Sequence, residues 1–334
     1  MNRTIAAITA LSLAPFAELP AAEPMTEIRV GFIGLDSSHC TAFTELLHRD
    51  GNTGDLAGVR IVAAYPGGSD DFPLSRDRVA GYTQKMSEMG VEIVDSIDTL
   101  LPKVDVVILG SVDGRQHLAQ VEPIFKAGKP VFIDKPLAHN LKDALKIQAL
   151  GRQYSTPWFT ASALRYQKEL QSVLASEVAG EIVGCDSYGQ SRAGIGHADL
   201  AWYGVHGIET LYTVMGSGCV SVTRLQTDKS EQVSGLWSNG RIGTYRGIRE
   251  HTHKTGFGAM IFGTKTQQHV PLPADYEGLV IEIARFFKTR QSPVSEDVML
   301  EIFAFIEAAD ESKRQNGVPV TLASVIEKAR KESE

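Results

Sequence analysis

The 334-residue sequence predicts an α/β protein, with an N-terminal Rossmann-like doubly wound parallel sheet and a C-terminal α+β part built on a mainly antiparallel open sheet. Three observations carry this expectation. Near-continuous Val/Ile/Leu runs, typical of strands covered on both faces, alternate with amphipathic segments through the first half. The second half changes to short strands joined by tight turns. The composition, 43% hydrophobic and 22% charged with no low-complexity tract or repeat, is that of a folded enzyme rather than a disordered chain.

In chain order, residues 1–22 combine Arg3, a short apolar run (TIAAITALSLAPF) and small residues ahead of Glu23. These are the parts of a cleavable secretory signal, so a periplasmic location is expected. No later run is long enough to span a bilayer. Strands are expected at 28–34, 59–65, 91–94, 104–110, 130–134 and 157–162, with helices at 40–48, 76–88, 97–101, 116–127 and 141–153. Such alternation implies right-handed crossovers and a dinucleotide-binding type of domain over 27–155. The remainder, 156–334, is expected to form a substrate and oligomerisation domain. It reads as helices at 165–176, 200–215, 276–289 and 295–316, with strands at 185–193, 220–227, 232–237, 241–248, 258–263 and 268–272. Asn239-Gly240 and Gly263-Thr264-Lys265 are hairpin turns, and Ser295-Glu296-Asp297 is a helix start.

A net charge of −7 argues against a nucleic-acid footprint, which needs a basic face. Cys40, Cys185 and Cys219 match no metal spacing or disulfide framework and are expected as small buried hydrophobes.

Three segments together resemble the glucose-fructose oxidoreductase / inositol dehydrogenase (Gfo/Idh/MocA) family. They are Ala127-Gly128-Lys129-Pro130-Val131-Phe132-Ile133-Asp134-Lys135-Pro136, Asp199 to Glu209 (DLAWYGVHGIE), and the closing stretch from Pro293-Val294-Ser295 to Val318-Pro319-Val320. The resemblance implies hydride transfer between a nicotinamide cofactor and a hydroxyl of a sugar, cyclitol or related polyol. In that reading Lys135, at the end of a buried parallel strand, polarises the oxygen, and His206 is the acid/base. The implied cofactor contacts are Gly34, Leu35, Asp36, Ser37, Ser38, His39, Ser111, His117, Asp134, Lys135 and Arg165. A homodimer or homotetramer through the C-terminal sheet is also implied.

The sequence departs from the family's pattern in three places. After the first strand, G-x-G-x-x-G is replaced by Gly34-Leu35-Asp36-Ser37-Ser38-His39, which puts a carboxylate where a diphosphate would lie. The second strand ends in Tyr65-Pro66-Gly67-Gly68-Ser69, with no acid for a ribose. That tilts the expectation from NAD to NADP, the glycines reading as a flexible loop and Arg76 and Arg78 as a solvated helix start. Trp202 stands four residues before His206, where the family often has an aspartate, leaving Asp199 or Glu209 to orient the imidazole.

Asp36 and His39 at one strand edge, with Asp113, Arg115 and His117 at the next, therefore admit two readings: a rebuilt cofactor site, or its replacement. His197, Asp199, His206, His251 and His253 form a second polar set, with His251-x-His253 as a candidate metal pair, although no metal site is expected. The alternatives to an oxidoreductase are a lyase, hydratase or isomerase acting on a keto-sugar, and a non-catalytic sugar-binding protein.

Overall fold

The computed structural model describes residues 27–249, 256–273 and 275–332. The expected signal over 1–22 and the candidate pair His251/His253 lie outside the described residues.

The first sheet contains β1 (Ile28–Ile33), β2 (Val59–Tyr65), β3 (Glu92–Ile93), β4 (Val106–Leu109), β5 (Val131–Ile133) and β6 (Trp158–Phe159) in the order β3-β2-β1-β4-β5-β6. Every pairing is parallel. Helices α1 (His39–Leu47), α2 (Pro73–Glu88), α3 (Ile97–Leu100), α4 (His117–Lys126) and α5 (Leu141–Gln153) fill the connections. β4 and β5 are buried at every position, which is why they read as unbroken apolar runs. The strand order reverses direction between β1 and β4, and doubly wound sheets bind ligands in the crevice at that switch.

The rest of the described chain comprises α6 (Lys168–Ser176), β7 (Ile182–Gln190), α7 (Gly204–Met215), β8 (Cys219–Gln226), β9 (Ser230–Trp237), β10 (Ile242–Ile248), β11 (Phe257–Gly263) and β12 (Gln267–Leu272). These are followed by α8 (Glu277–Thr289), α9 (Glu296–Arg314), β13 (Val320–Thr321) and α10 (Leu322–Lys331). Seven strands pair as β12-β11-β7-β10-β9-β8-β13, and all pairings are antiparallel except β10 with β7. Both expected hairpins form, with Gly240 at a positive φ of 82°. Ser295 caps α9 by accepting a hydrogen bond from the Val298 amide.

The expected helix over 200–215 begins only at Gly204, because residues 201–203 are turn. α7 and α9 pack on one face of this sheet. α7 lies close to it because residue 207 is glycine: a Cβ there would fall 2.1 Å from the Tyr245 ring.

All three cysteines are free and buried. Burial pushes the Cys40 and Cys219 thiols up to about 12, so they remain protonated and inert at neutral pH. Among the described residues no helix is long and apolar enough to cross a membrane, and no cluster of acidic, histidine or cysteine side chains has metal-binding geometry.

Candidate active site

A pocket opens between the C-terminal edge of the first sheet and α7. Its chemistry-bearing residues include Ser37, Ser38, His39, Arg78, Lys135, His206 and Asp275, and its walls include Trp202, Tyr203, Phe257 and Tyr276. Lys135 follows β5 and reaches this space from the sheet edge. Its ammonium lies 5.9 Å from the centre of the Tyr203 ring, and the Arg192 guanidinium lies 5.4 Å from the same ring. The ring therefore lies within cation–π range of two positive groups.

His206 comes from the first turns of α7. Neither Asp199 nor Glu209 orients it, correcting the expectation from sequence. Glu209 pairs with Arg165 at 2.5 Å, and Asp199 pairs with Arg224 at 2.7 Å. The imidazole Nδ1 instead meets Ser162 Oγ at 2.7 Å, and that hydroxyl also accepts the Leu164 amide at 3.2 Å. A hydroxyl both donates and accepts, so Ser162 supports either tautomer, whereas a carboxylate would hold the proton on Nδ1. Burial, and then the positive charges of Lys135 and His39, hold the His206 pKa well below the ordinary histidine value. His206 is thus neutral at neutral pH and able to take a proton.

Behind the pocket, His39 Nδ1 contacts Asp134 Oδ2, with the Tyr276 ring edge-on to His39. Burial pushes the Asp134 carboxyl up, but the His39 and Lys135 charges and the His39 hydrogen bond outweigh it, leaving the pKa below the usual range.

The other expected cofactor contacts lie elsewhere. His117 is fully buried and spends both ring nitrogens on backbone carbonyls, those of Leu137 (3.1 Å) and Ser111 (2.8 Å). Ser111 Oγ donates to Gln120, and Arg165 is bound to Glu209. Neither His117, Ser111 nor Arg165 lines the pocket. In His197, Nε2 accepts the Gly114 amide and Nδ1 meets the Ile195 carbonyl, so both nitrogens are in use.

A dinucleotide would have to run from the end of β2, across the turn after β1, to Lys135. A cleft at the end of β2 is lined by Gly67, Gly68, Asp70, Arg76 and Gln116, but a ridge of the chain's own residues divides it from the pocket. Asp36, with no solvent exposure, accepts hydrogen bonds from the Val112 amide (2.9 Å) and from Ser75 Oγ (2.6 Å). Ser75 Oγ in turn accepts the Ser69 amide at 2.9 Å. Phe72 packs edge-on against Trp202 at 5.0 Å and against Val112. Arg115 joins Asp71 (2.8 Å) to Asp113 (2.7 Å) over the same ridge.

The amides of Gly34 and Leu35 extend the pairing of β1 with β2, donating to the carbonyls of Tyr65 and Pro66. Gly34 itself is pressed against the next loop: a Cβ there would fall 2.3 Å from the Ser111 nitrogen. The Gly67-Gly68-Ser69 segment lies over the first turn with Ser69 only 4% exposed, while Gly67 and Gly68 line the cleft at the end of β2. The residues present fit the nicotinamide end of a dinucleotide but not its diphosphate.

Comparison with known proteins agrees with this framework. Residues 28–160 match a family model described as an oxidoreductase family with an NAD-binding Rossmann fold, the Gfo/Idh/MocA model. Search of curated proteins returns no match. Among solved structures, GenD2 from gentamicin A biosynthesis in complex with NAD is similar with a TM-score of 0.73 and 15% identity, over 93% of this chain and 99% of that one. The scyllo-inositol dehydrogenase from Lactobacillus casei with bound NAD(H) and scyllo-inositol superposes with a TM-score of 0.70 and 16% identity, over 89% and 100%. An oxidoreductase from Agrobacterium radiobacter in complex with NAD+, L-tartaric acid and magnesium gives 0.70 and 16%, over 90% and 100%. At these identities the structural likenesses establish the fold.

Proposed function

We propose that the pocket performs acid–base chemistry at a C–O centre of a sugar, cyclitol or related polyol, a reading supported by the match of residues 28–160 to the Gfo/Idh/MocA oxidoreductase model with its NAD-binding Rossmann fold. The observation that carries this reading is the convergence of Lys135 and His206 on one pocket. The Lys135 ammonium holds the reacting oxygen and stabilises negative charge as it develops there. The neutral imidazole of His206 takes or returns the proton, with Ser162 accommodating whichever tautomer results. The match to the family model points to hydride exchange with NAD or NADP as one form of this chemistry. The similar structures holding scyllo-inositol and tartrate support a hydroxylated substrate.

A second reading is favoured by the divided crevice. With the same two residues, a keto-sugar loses a proton from the carbon beside its carbonyl, and no hydride acceptor is needed. One experiment separates the two. Sugars, cyclitols and keto-sugars are incubated with the protein in deuterated buffer, with and without NAD(P), and followed by NMR and by absorbance of reduced nicotinamide. Oxidation that requires NAD(P) supports the first reading. Cofactor-independent deuterium exchange beside a carbonyl supports the second. Neither signal for any compound removes both.

The face of the second sheet away from α7 and α9 leaves Leu236 and Ile242 about half exposed (44% and 58%), paired across β9 and β10, with Leu225 at 64% further along β8. We propose that this face joins two copies of the chain, since such side chains gathered on one sheet are rarely left in water. Leu236→Glu is expected to convert a dimer or tetramer to a smaller species in light scattering. An unchanged mass would remove this face from the interface.

A further inference from the structure

The ridge that divides the crevice is built from residues the proposed chemistry does not use. We propose that the segment from Ser69 to Ser75, pinned by Asp36, is a permanent occupant of the dinucleotide crevice, and that the protein in this form excludes NAD and NADP. Each half of a dinucleotide site survives, one at the end of β2 and one at Lys135, and only the passage between them is filled.

Four sets of contacts fill it, and two of them involve departures in sequence, Asp36 and Trp202. Asp36 stands where the family's second glycine lets backbone approach a diphosphate, and its carboxylate is anchored on both sides, to Val112 and to Ser75. Ser75, in the first turn of α2, ties back to Ser69, which closes the segment into a compact loop. Phe72 fills the gap between the loop after β4 and Trp202, the residue that replaces the family's aspartate. Arg115 clamps Asp71 against Asp113. Admitting a diphosphate would require breaking the Asp36 hydrogen bonds, extracting a 5%-exposed phenyl ring and placing anionic oxygens beside a carboxylate. The Asp36 and Trp202 departures are then two sides of one construction: one pins the loop and the other receives its aromatic residue.

This goes beyond the acid–base reading of Lys135 and His206 and agrees only with its cofactor-independent form, proton abstraction beside a carbonyl, because the oxidative form needs NAD(P). The test uses the full chain with its native loop. Nucleotides released on denaturation are identified by mass spectrometry, and NADH and NADPH binding is measured by fluorescence for wild type, Asp36→Asn, and the double variant Asp36→Gly/Phe72→Ala. Expected are no released NAD(P), no saturable binding by wild type or Asp36→Asn at millimolar cofactor, and binding at least tenfold tighter in the double variant. Stoichiometric NAD(P) in the purified protein, or micromolar binding by wild type, overturns the proposal. So does binding gained by Asp36→Asn alone, because charge and not the loop would then be the obstacle. A folded double variant that still binds nothing overturns it as well. Should the double variant fail to fold, hydrogen exchange of wild type decides. Unchanged protection of the Ser69 and Phe72 amides with millimolar NADPH supports the occupant, and their deprotection by NADPH overturns it.

Discussion

Arg224→Met is expected to destabilise the folded protein by about 3–5 kcal/mol, the usual cost of stranding buried charges. The Arg224 guanidinium is 1% exposed and touches three carboxylates, those of Asp199, Glu231 and Asp310. Arg249 and Lys313 reach Asp199, and Arg249 alone of the two reaches Glu231, at 3.4 Å. Without Arg224, Glu231 keeps the Ser191 hydroxyl and one long contact to Arg249, and Asp310 keeps the Asp199 amide (2.9 Å).

The pH dependence follows from the same carboxylates. In wild type, burial works against Asp199, but its Lys313, Arg224 and Arg249 partners hold it down to about 2. Its contribution is complete above the unfolded carboxyl pKa and is lost as pH falls toward 2. Burial pushes Asp310 up to about 6, an effect Arg224 only partly offsets, so the stability from its protonated form is lost as pH rises from about 4 to 6. Removing Arg224 takes away the charge that partly offsets the burial of Asp310 and so raises it further, and the variant should recover part of its deficit in urea melts as pH is lowered toward 5. Adding Glu231→Gln and Asp310→Asn should restore more. A loss below about 1 kcal/mol would mean that this network contributes little to stability. The network also holds the loop leading to Trp202 and Tyr203, since the Asp199 amide donates to Asp310.

Lys135→Met and His206→Gln are each expected to lower kcat by about 10²- to 10⁴-fold on whatever substrate turns over, with the fold intact. The low pKa of His206 sets the pH profile. The imidazole is neutral at pH 6.5, so the acid limb of the rate lies below the ordinary histidine range, and stability contributed by the neutral ring falls as pH drops below about 6.5. Lys135→Met removes a positive neighbour, so the His206 pKa should rise, observable as a shifted imidazole resonance in NMR titration. Ser162→Ala should lower kcat more than it raises KM, because it frees the ring to rotate without removing a substrate contact. Unchanged kcat in Lys135→Met, or an acid limb near the ordinary histidine value, would take these residues out of the chemistry.

Much of the scaffold was legible because its signals are local. The β2 and α5 boundaries match their patterns residue for residue, since Val59–Tyr65 alternates against a buried face and Asn140 caps the helix that follows. α10 was missed, as its Lys/Arg-rich sequence after Pro319 hides an apolar stripe of Leu322, Val325 and Ala329. In the site, Lys135 and His206 were readable as motif residues. Ser162 was not, because it approaches from a loop distant in sequence and serine carries no distinguishing pattern. Asp36 was visible as a charge in the wrong place. That Ser75 and Val112 hold it, and that Phe72 closes over it, depends on how the loop after β2 folds back. Two glycines in that loop read as freedom when they are in fact the bends that permit close packing, at φ values of 60° and 113°.

The single parallel pairing in the second sheet has a consequence for the order of events during synthesis. β7 has β10 on one side and β11 on the other, both made later, after α7 and the β8–β9 hairpin have emerged. Until then β7 carries two unsatisfied edges, and the ribosome must release most of this half of the chain before its sheet can close. β9 can pair with β8 at once, so that hairpin is the natural first structure, and β7, made before it, waits for β10. Slow emergence of β10 would therefore lengthen the time for which β7 is open to pairing with the wrong partner.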